Sequence, residues 1–186
     1  MNPPIYVYYR LTNFYQNHRR FVSSLSQSQL SGQNVTSYTA IASCSPIESV
    51  NGSQVASQFY YPCGLVANSL FNDSFSLSSN TSNVFIDETG IAWSSDINNK
   101  FKNCQDPNGC AGYTILPSGI NVTALNGGFT NEHFVVWFRI AALSDFKKLW
   151  GRITTPITAG NYTLNIANSY FPFPSLLFSF SPHKQV

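Results

Sequence analysis

Charge is what this chain has least of. Only 10% of its 186 residues are Asp, Glu, Lys or Arg, where ordinary soluble domains carry roughly 25%. Ten basic residues against eight acids leave a formal net charge of +2, too small to hold a nucleic acid through its phosphates. Histidine is equally scarce: there are three, none at a zinc-like spacing, and no Cys-x-x-Cys is present. A Gly-x-Ser-x-Gly elbow and a glycine-rich phosphate loop are also missing. Asp87 and Glu88 are adjacent, so on a strand they point to opposite faces and do not form a catalytic pair. His18 is flanked by Arg19 and Arg20 and makes a poor base, while His133 sits in "NEHF" and His183 in a C-terminal tail. Catalytic, cofactor-binding and metal-ligating residues are therefore expected to be none. Long apolar runs are lacking too. "FVVWFRIAAL" is broken by Arg139 and falls short of the roughly 20 residues that span a bilayer. "MNPPIYVYYR" has no apolar stretch of the kind a signal peptide needs.

Neutral polar groups fill the place of charge. Six Asn-x-Ser/Thr sequons without a central proline occur, at Asn34, Asn51, Asn72, Asn80, Asn121 and Asn161, mostly in loop-like stretches. Attached sugars would supply the solubility that charge does not. The four cysteines agree with such a compartment. Cys44 and Cys63 fall in one part of the chain, Cys104 and Cys110 in another, which suggests two local disulfides. In "CQDPNGC" the Asp-Pro-Asn-Gly segment is turn chemistry that brings its two sulfurs together.

Hydrophobic residues make up 43% and aromatics 15%, enough for a core in one domain spanning 1–186. "YVYYRLTNFYQNHRRFV", residues 6–22, holds four tyrosines, two phenylalanines and three arginines with no acid. Its start alternates as a strand, with Ile5, Val7, Tyr9 and Leu11 on one face. Thr12 or Asn13 could then cap a helix carrying Phe14, His18, Phe21, Val22 and Leu25. Residues 23–58 are poor in large apolar side chains and read as long loops tied down by Cys44. "VFIDETGIAW" suggests a strand, a turn at Gly90 and a second strand. "NEHFVVWFRIAAL" alternates and reads as a strand, followed by a short helix capped by Ser144 and carrying Phe146, Leu149, Trp150 and Ile153. "GNYTLNIAN" alternates again, with Tyr162, Leu164 and Ile166 inward. Strands separated by long loops imply a mainly β fold, an asymmetric antiparallel β-sandwich with short helices and disulfide-tied loops.

Four blocks, in order, carry a further signal: "YVYYRLTNFYQNHRRFV", "PCGLVANSLFNDSF", "GIAWSSD" followed by "KF", and "NEHFVVWFRIAALSDFKKLWGRI". Together they resemble the signature blocks of the cell-division-control protein 50 family, accessory β-subunits of the type IV P-type ATPases that flip phospholipids. The resemblance implies a non-catalytic subunit that pairs with the ATPase as a heterodimer, is needed for its exit from the endoplasmic reticulum and supports transport. It implies an ectodomain on the lumenal or extracellular side of a secretory-pathway membrane, whose two flanking transmembrane helices lie outside this chain. It also places the family's disulfide on Cys44 and Cys63 and its glycosylation site on Asn72. Cys104–Cys110 falls in a variable insertion and rests on local chemistry alone. Arg19 and Arg20 are the candidates for a partner-facing surface. The alternative from another class is a secreted carbohydrate-binding β-sandwich that uses exposed Tyr and Trp.

Overall fold

Alternation over residues 5–11 becomes a strand, β1 (Ile5–Leu11), with Ile5, Val7, Tyr9 and Leu11 buried. It pairs antiparallel with β4 (Phe146–Ile153), from Ile5↔Ile153 to Leu11↔Phe146. A second antiparallel sheet has the order β3-β2-β5, formed by β2 (Ser74–Ser79), β3 (Asn83–Val84) and β5 (Tyr162–Ala167). The computed structural model describes residues 1–79 and 82–169; Asn80 and His183 lie outside them. All five strands belong to one compact unit, made of residues 1–14, 71–91 and the chain from 144 onward. Aromatic rings join its two sheets. Tyr9 of β1 stacks on Phe71 at 3.9 Å, and Phe75 of β2 meets Trp150 of β4 edge-on at 4.9 Å. Such pairs add about 0.5–1.5 kcal/mol each beyond the area they bury. Backbone bonds of 2.8 Å in both directions tie Asp87 to Arg152. Gly151 accommodates this close approach, because a Cβ there would lie 2.6 Å from Ile86 Cγ2.

The second unit, residues 15–70 and 92–143, is built of short helices. These are α1 (Arg19–Ser23), α2 (Gln27–Leu30), α3 (Leu65–Asn68), α4 (Ser94–Asn99) and α5 (Glu132–Phe138), with 3-10 turns such as Tyr38–Cys44 between them. One core gathers Val35, Ile41, Phe59 and the Cys44–Cys63 disulfide. Another stacks Tyr61 on Phe129 and Phe129 on Phe134, with Phe134 against Phe138 at 4.6 Å. Neutral polar side chains brace the loops from inside. Fully buried Gln29 donates to the Tyr60 carbonyl at 3.0 Å and accepts from the Cys63 amide at 2.8 Å. Ser24 Oγ, also fully buried, donates to the Cys44 carbonyl and accepts from the Leu65 amide. Gln16 accepts from the Ala141 amide at 2.9 Å. A buried amide or hydroxyl satisfied in this way serves backbone that no ladder reaches.

The antiparallel sandwich, short helices and disulfide-tied loops are as expected, although helical turns occupy 27% of residues and strands 22%. Two assignments are reversed. "NEHFVVWF" forms helix α5, in which Phe134, Val135, Val136 and Trp137 are all buried; with every side covered, no helical stripe marks it. The Asn131 side chain accepts from the Phe134 amide at 3.1 Å and caps this helix, so Ser144 caps nothing. "FKKLWGRI" is strand β4. Its register shifts by one residue opposite Val7/Tyr8, between Gly151 and Leu149, so Trp150 is the extra residue of a bulge. Trp150 and Ile153 are therefore both buried although three residues apart, a spacing that imitates a helix. The helix after β1 is also shorter than expected. Asn13 takes a left-handed φ of 57°, and His18 caps α1 by accepting from the Arg20 amide at 3.2 Å. In β5, Tyr162 and Leu164 are half-buried while Ile166 is exposed.

Candidate functional site

Six of the eight acids hold the fold through their side chains. Asp145 pairs with Arg10, and Asp87 accepts from Thr89 and from Arg152. Asp106 accepts from Asn34, and Glu132 from the Ala92 amide at 2.8 Å. Asp73 accepts from the Ser169 amide at 2.7 Å. Hydrogen bonds from Thr89 hold the Asp87 carboxyl below the usual carboxylate range, and that from Arg10 does the same for Asp145. No group of three or more His, Cys, Asp or Glu side chains that could hold a metal occurs among the described residues.

Among the basic residues, Arg10, Lys100, Arg139 and Arg152 bridge acids, while Lys147 and Lys148 lie over the rings of Tyr8 and Phe146. Arg19 and Arg20, exposed on α1, have no acidic partner among the described residues. A guanidinium left in water on a surface is available for planar recognition of a carboxylate or phosphate.

A cluster that sequence reasoning missed lies on α4. Trp93, just before this helix, is 64% exposed, and the Arg139 guanidinium lies 4.1 Å from its ring centre. Arg139 is fixed by Asp96, which is buried and accepts from Arg139 Nη2 at 2.6 Å and from Lys100 Nζ at 2.8 Å. The Lys100 bond chiefly holds the Asp96 carboxyl low; burial opposes this and Arg139 adds to it. The result is a large exposed aromatic beside a guanidinium that Asp96 holds in place, a composition common in protein-binding hot spots. The signal was present in "AWSSD", but nothing in the sequence linked it to Arg139.

Both expected disulfides are formed, Cys44–Cys63 and Cys104–Cys110, with Cα–Cα separations of 5.6 and 5.7 Å. Those separations lie in the ordinary range for disulfides. Burial pushes the Tyr61 phenol up to about 12, so it stays neutral. The sequons differ in what their side chains do. Asn34 donates to Asp106 Oδ2 at 2.8 Å and accepts from the Ala111 amide at 2.9 Å, which ties it to the Cys104–Cys110 loop. Asn121 is half-buried and accepts from Thr123 Oγ1 at 2.7 Å. Asn51, Asn72 and Asn161 are exposed.

Fold and surface thus define a chain of two units, an antiparallel β unit and a disulfide-tied helical one, in which six carboxylates serve the structure. The chain belongs to the LEM3 (ligand-effect modulator 3) family / CDC50 family, whose profile matches residues 1–178. It is 40% identical over 171 residues to "ALA-interacting subunit 3" of Arabidopsis thaliana, covering 87% of this chain and 44% of that protein. It is 37% identical over 190 residues to "Cell cycle control protein 50B" of Homo sapiens, covering 90% of this chain and 53% of that protein. The chain therefore spans about half the length of these curated relatives. No helix among the described residues is long and apolar enough to cross a membrane.

Proposed function

We propose that this chain is the ectodomain of a non-catalytic accessory subunit of a phospholipid-flipping P-type ATPase. In this reading residues 1–186 are a single ectodomain on the lumenal or extracellular side of a secretory-pathway membrane. It pairs with the catalytic subunit, accompanies it out of the endoplasmic reticulum and supports transport, while ATP hydrolysis and the lipid path belong to the partner. The observation that carries the reading is family membership across nearly the whole chain, among relatives named as interacting subunits. The exposed arginines of α1 and the Trp93–Arg139 platform supply surface for a protein partner.

The test is co-expression of the full-length protein with a type IV P-type ATPase, followed by co-purification and localisation of the ATPase. The ATPase is expected to leave the endoplasmic reticulum only when the subunit is present. Normal trafficking and lipid flipping without it would remove the assignment. Charge reversal of Arg19 and Arg20 to Glu is expected to leave stability within about 0.5 kcal/mol of the parent, as for other exposed substitutions. Recovery of the complex should nonetheless fall.

A further inference from the structure

Beside the short hairpin of β2 and β3, the loop joining β4 to β5 closes a groove of about 480 Å³. That volume is within the roughly 300–1,000 Å³ of sites that hold small molecules. Ser79, Ser82, Thr155 and Thr158 supply hydroxyls, those of Ser79 and Ser82 already 3.3 Å from one another, and Val84, Pro156, Ile157 and Ala159 add apolar surface; no charged side chain lines it among the described residues. Phe85 lines it too, with 72% of its surface exposed. A phenylalanine left this open beside a row of hydroxyls has an apolar face with no covering group. Hydroxyls for hydrogen bonds and an aromatic face for the apolar side of a ring are what a sugar requires.

The rim supplies the sugar's point of attachment. Asn161, the acceptor of the sequon Asn161-Tyr162-Thr163, lines the same groove and is exposed. Its amide has no hydrogen-bond partner among the described residues, whereas those of Asn34 and Asn121 are used by the fold. Tyr162, next to it, is fixed by donating its hydroxyl to the Thr158 carbonyl at 3.0 Å, so the loop that carries Asn161 is braced against its own groove. We propose that Asn161 carries an N-linked glycan whose first sugars lie in this groove, stacked on Phe85. The occupant is the chain's own sugar: tethering at the rim gives it an effective concentration that free saccharide does not reach. The proposal rests on the secretory placement made above.

The experiment uses the full-length protein expressed in a eukaryotic secretory host. Site-by-site glycopeptide mass spectrometry is followed by a time course of enzymatic deglycosylation under native conditions. Sugar at Asn161 is expected, and its release should be slower than that at Asn51 or Asn72. Phe85→Ala should speed release about fivefold, the factor that about 1 kcal/mol of ring packing confers. The same variant should leave the melting temperature of enzymatically deglycosylated protein unchanged, because Phe85 is exposed. Sugar present at Asn161 but released equally fast with and without Phe85 would overturn the groove while leaving the secretory placement intact. A bare Asn161 beside an occupied Asn72 would overturn it as well. Six bare sequons would instead remove the placement on which it rests.

Discussion

Trp150 shows how one side chain can be core without belonging to a regular pattern. It is 5% exposed, meets Phe75 edge-on and also touches Tyr9 and Phe71. Trp150→Ala should cost about 3–5 kcal/mol, read by chemical denaturation, and deplete any complex through folding alone. Asp96 acts through charge instead. Its carboxyl is held low in the folded state, so that state binds fewer protons than the unfolded chain does. Its contribution is complete above the unfolded carboxylate value near pH ~4 and is lost as the pH falls through the folded value. Asp96→Asn should therefore be less stable than the parent at neutral pH, and the gap should narrow as the pH is lowered below about 4. Melting curves across that range give the comparison; a gap independent of pH would mean that the carboxylate is not the group at work. Side chains of this kind were only partly legible in the sequence. The apolar face of β1 followed from alternation, but the brackets of Gln16, Gln29 and Ser24 did not. A glutamine that braces a loop and one that faces water have the same local sequence signature.

At the scale of elements, β1 and β5 could be read directly, while α5 and β4 were exchanged. The cause is physical. Periodicity reports a boundary between core and solvent, and α5 has none, since four consecutive residues are buried. In β4 the bulge at Trp150 breaks the period of two. Capping chemistry was applied to the wrong residues, Thr12 or Asn13 and Ser144; the signal that marks a helix start is Asn131, with Glu132 in the first turn. Gly64 is a comparable local device in front of α3. It sits at φ +105°, and a Cβ there would lie 2.1 Å from the Ser24 carbonyl oxygen. Gly64→Ala should cost about 1–3 kcal/mol from the backbone conformation alone, with the clash adding to it. A thermal melt in which this variant matched the parent would show that the turn relaxes freely.

Over the whole molecule, the ordered blocks identified the family more securely than any element assignment, and the cysteine spacing foretold both disulfides. Both disulfides join residues of the helical unit, where short helices and 3-10 turns contribute little by themselves. Replacing Cys44 and Cys63 by Ser should therefore cost about 3 kcal/mol, the chain-entropy value for a loop of this size. Non-reducing peptide mapping of the parent should return Cys44–Cys63 and Cys104–Cys110; crossed pairs would contradict the fold. The platform of Trp93 and Arg139 was not legible for a related reason, since its two parts come from stretches that only the folded helical unit brings together.

The pairing of β1 with β4 also sets a timetable. β1 is made well before its partners, the residues from Phe146 to Ile153. At ordinary rates of synthesis β1 waits roughly 7–30 s for the strand that completes its sheet. Every residue of the helical unit has been made by Leu143, before β4 begins. Growth in one direction thus lets the helices and their disulfides form first, while a tyrosine-rich strand stays open without its partner. A nascent chain stalled before Ser144 should show the Cys44–Cys63 bond but leave β1 accessible to protease. The open strand is the stretch that a chaperone would have to cover until β4 has been made.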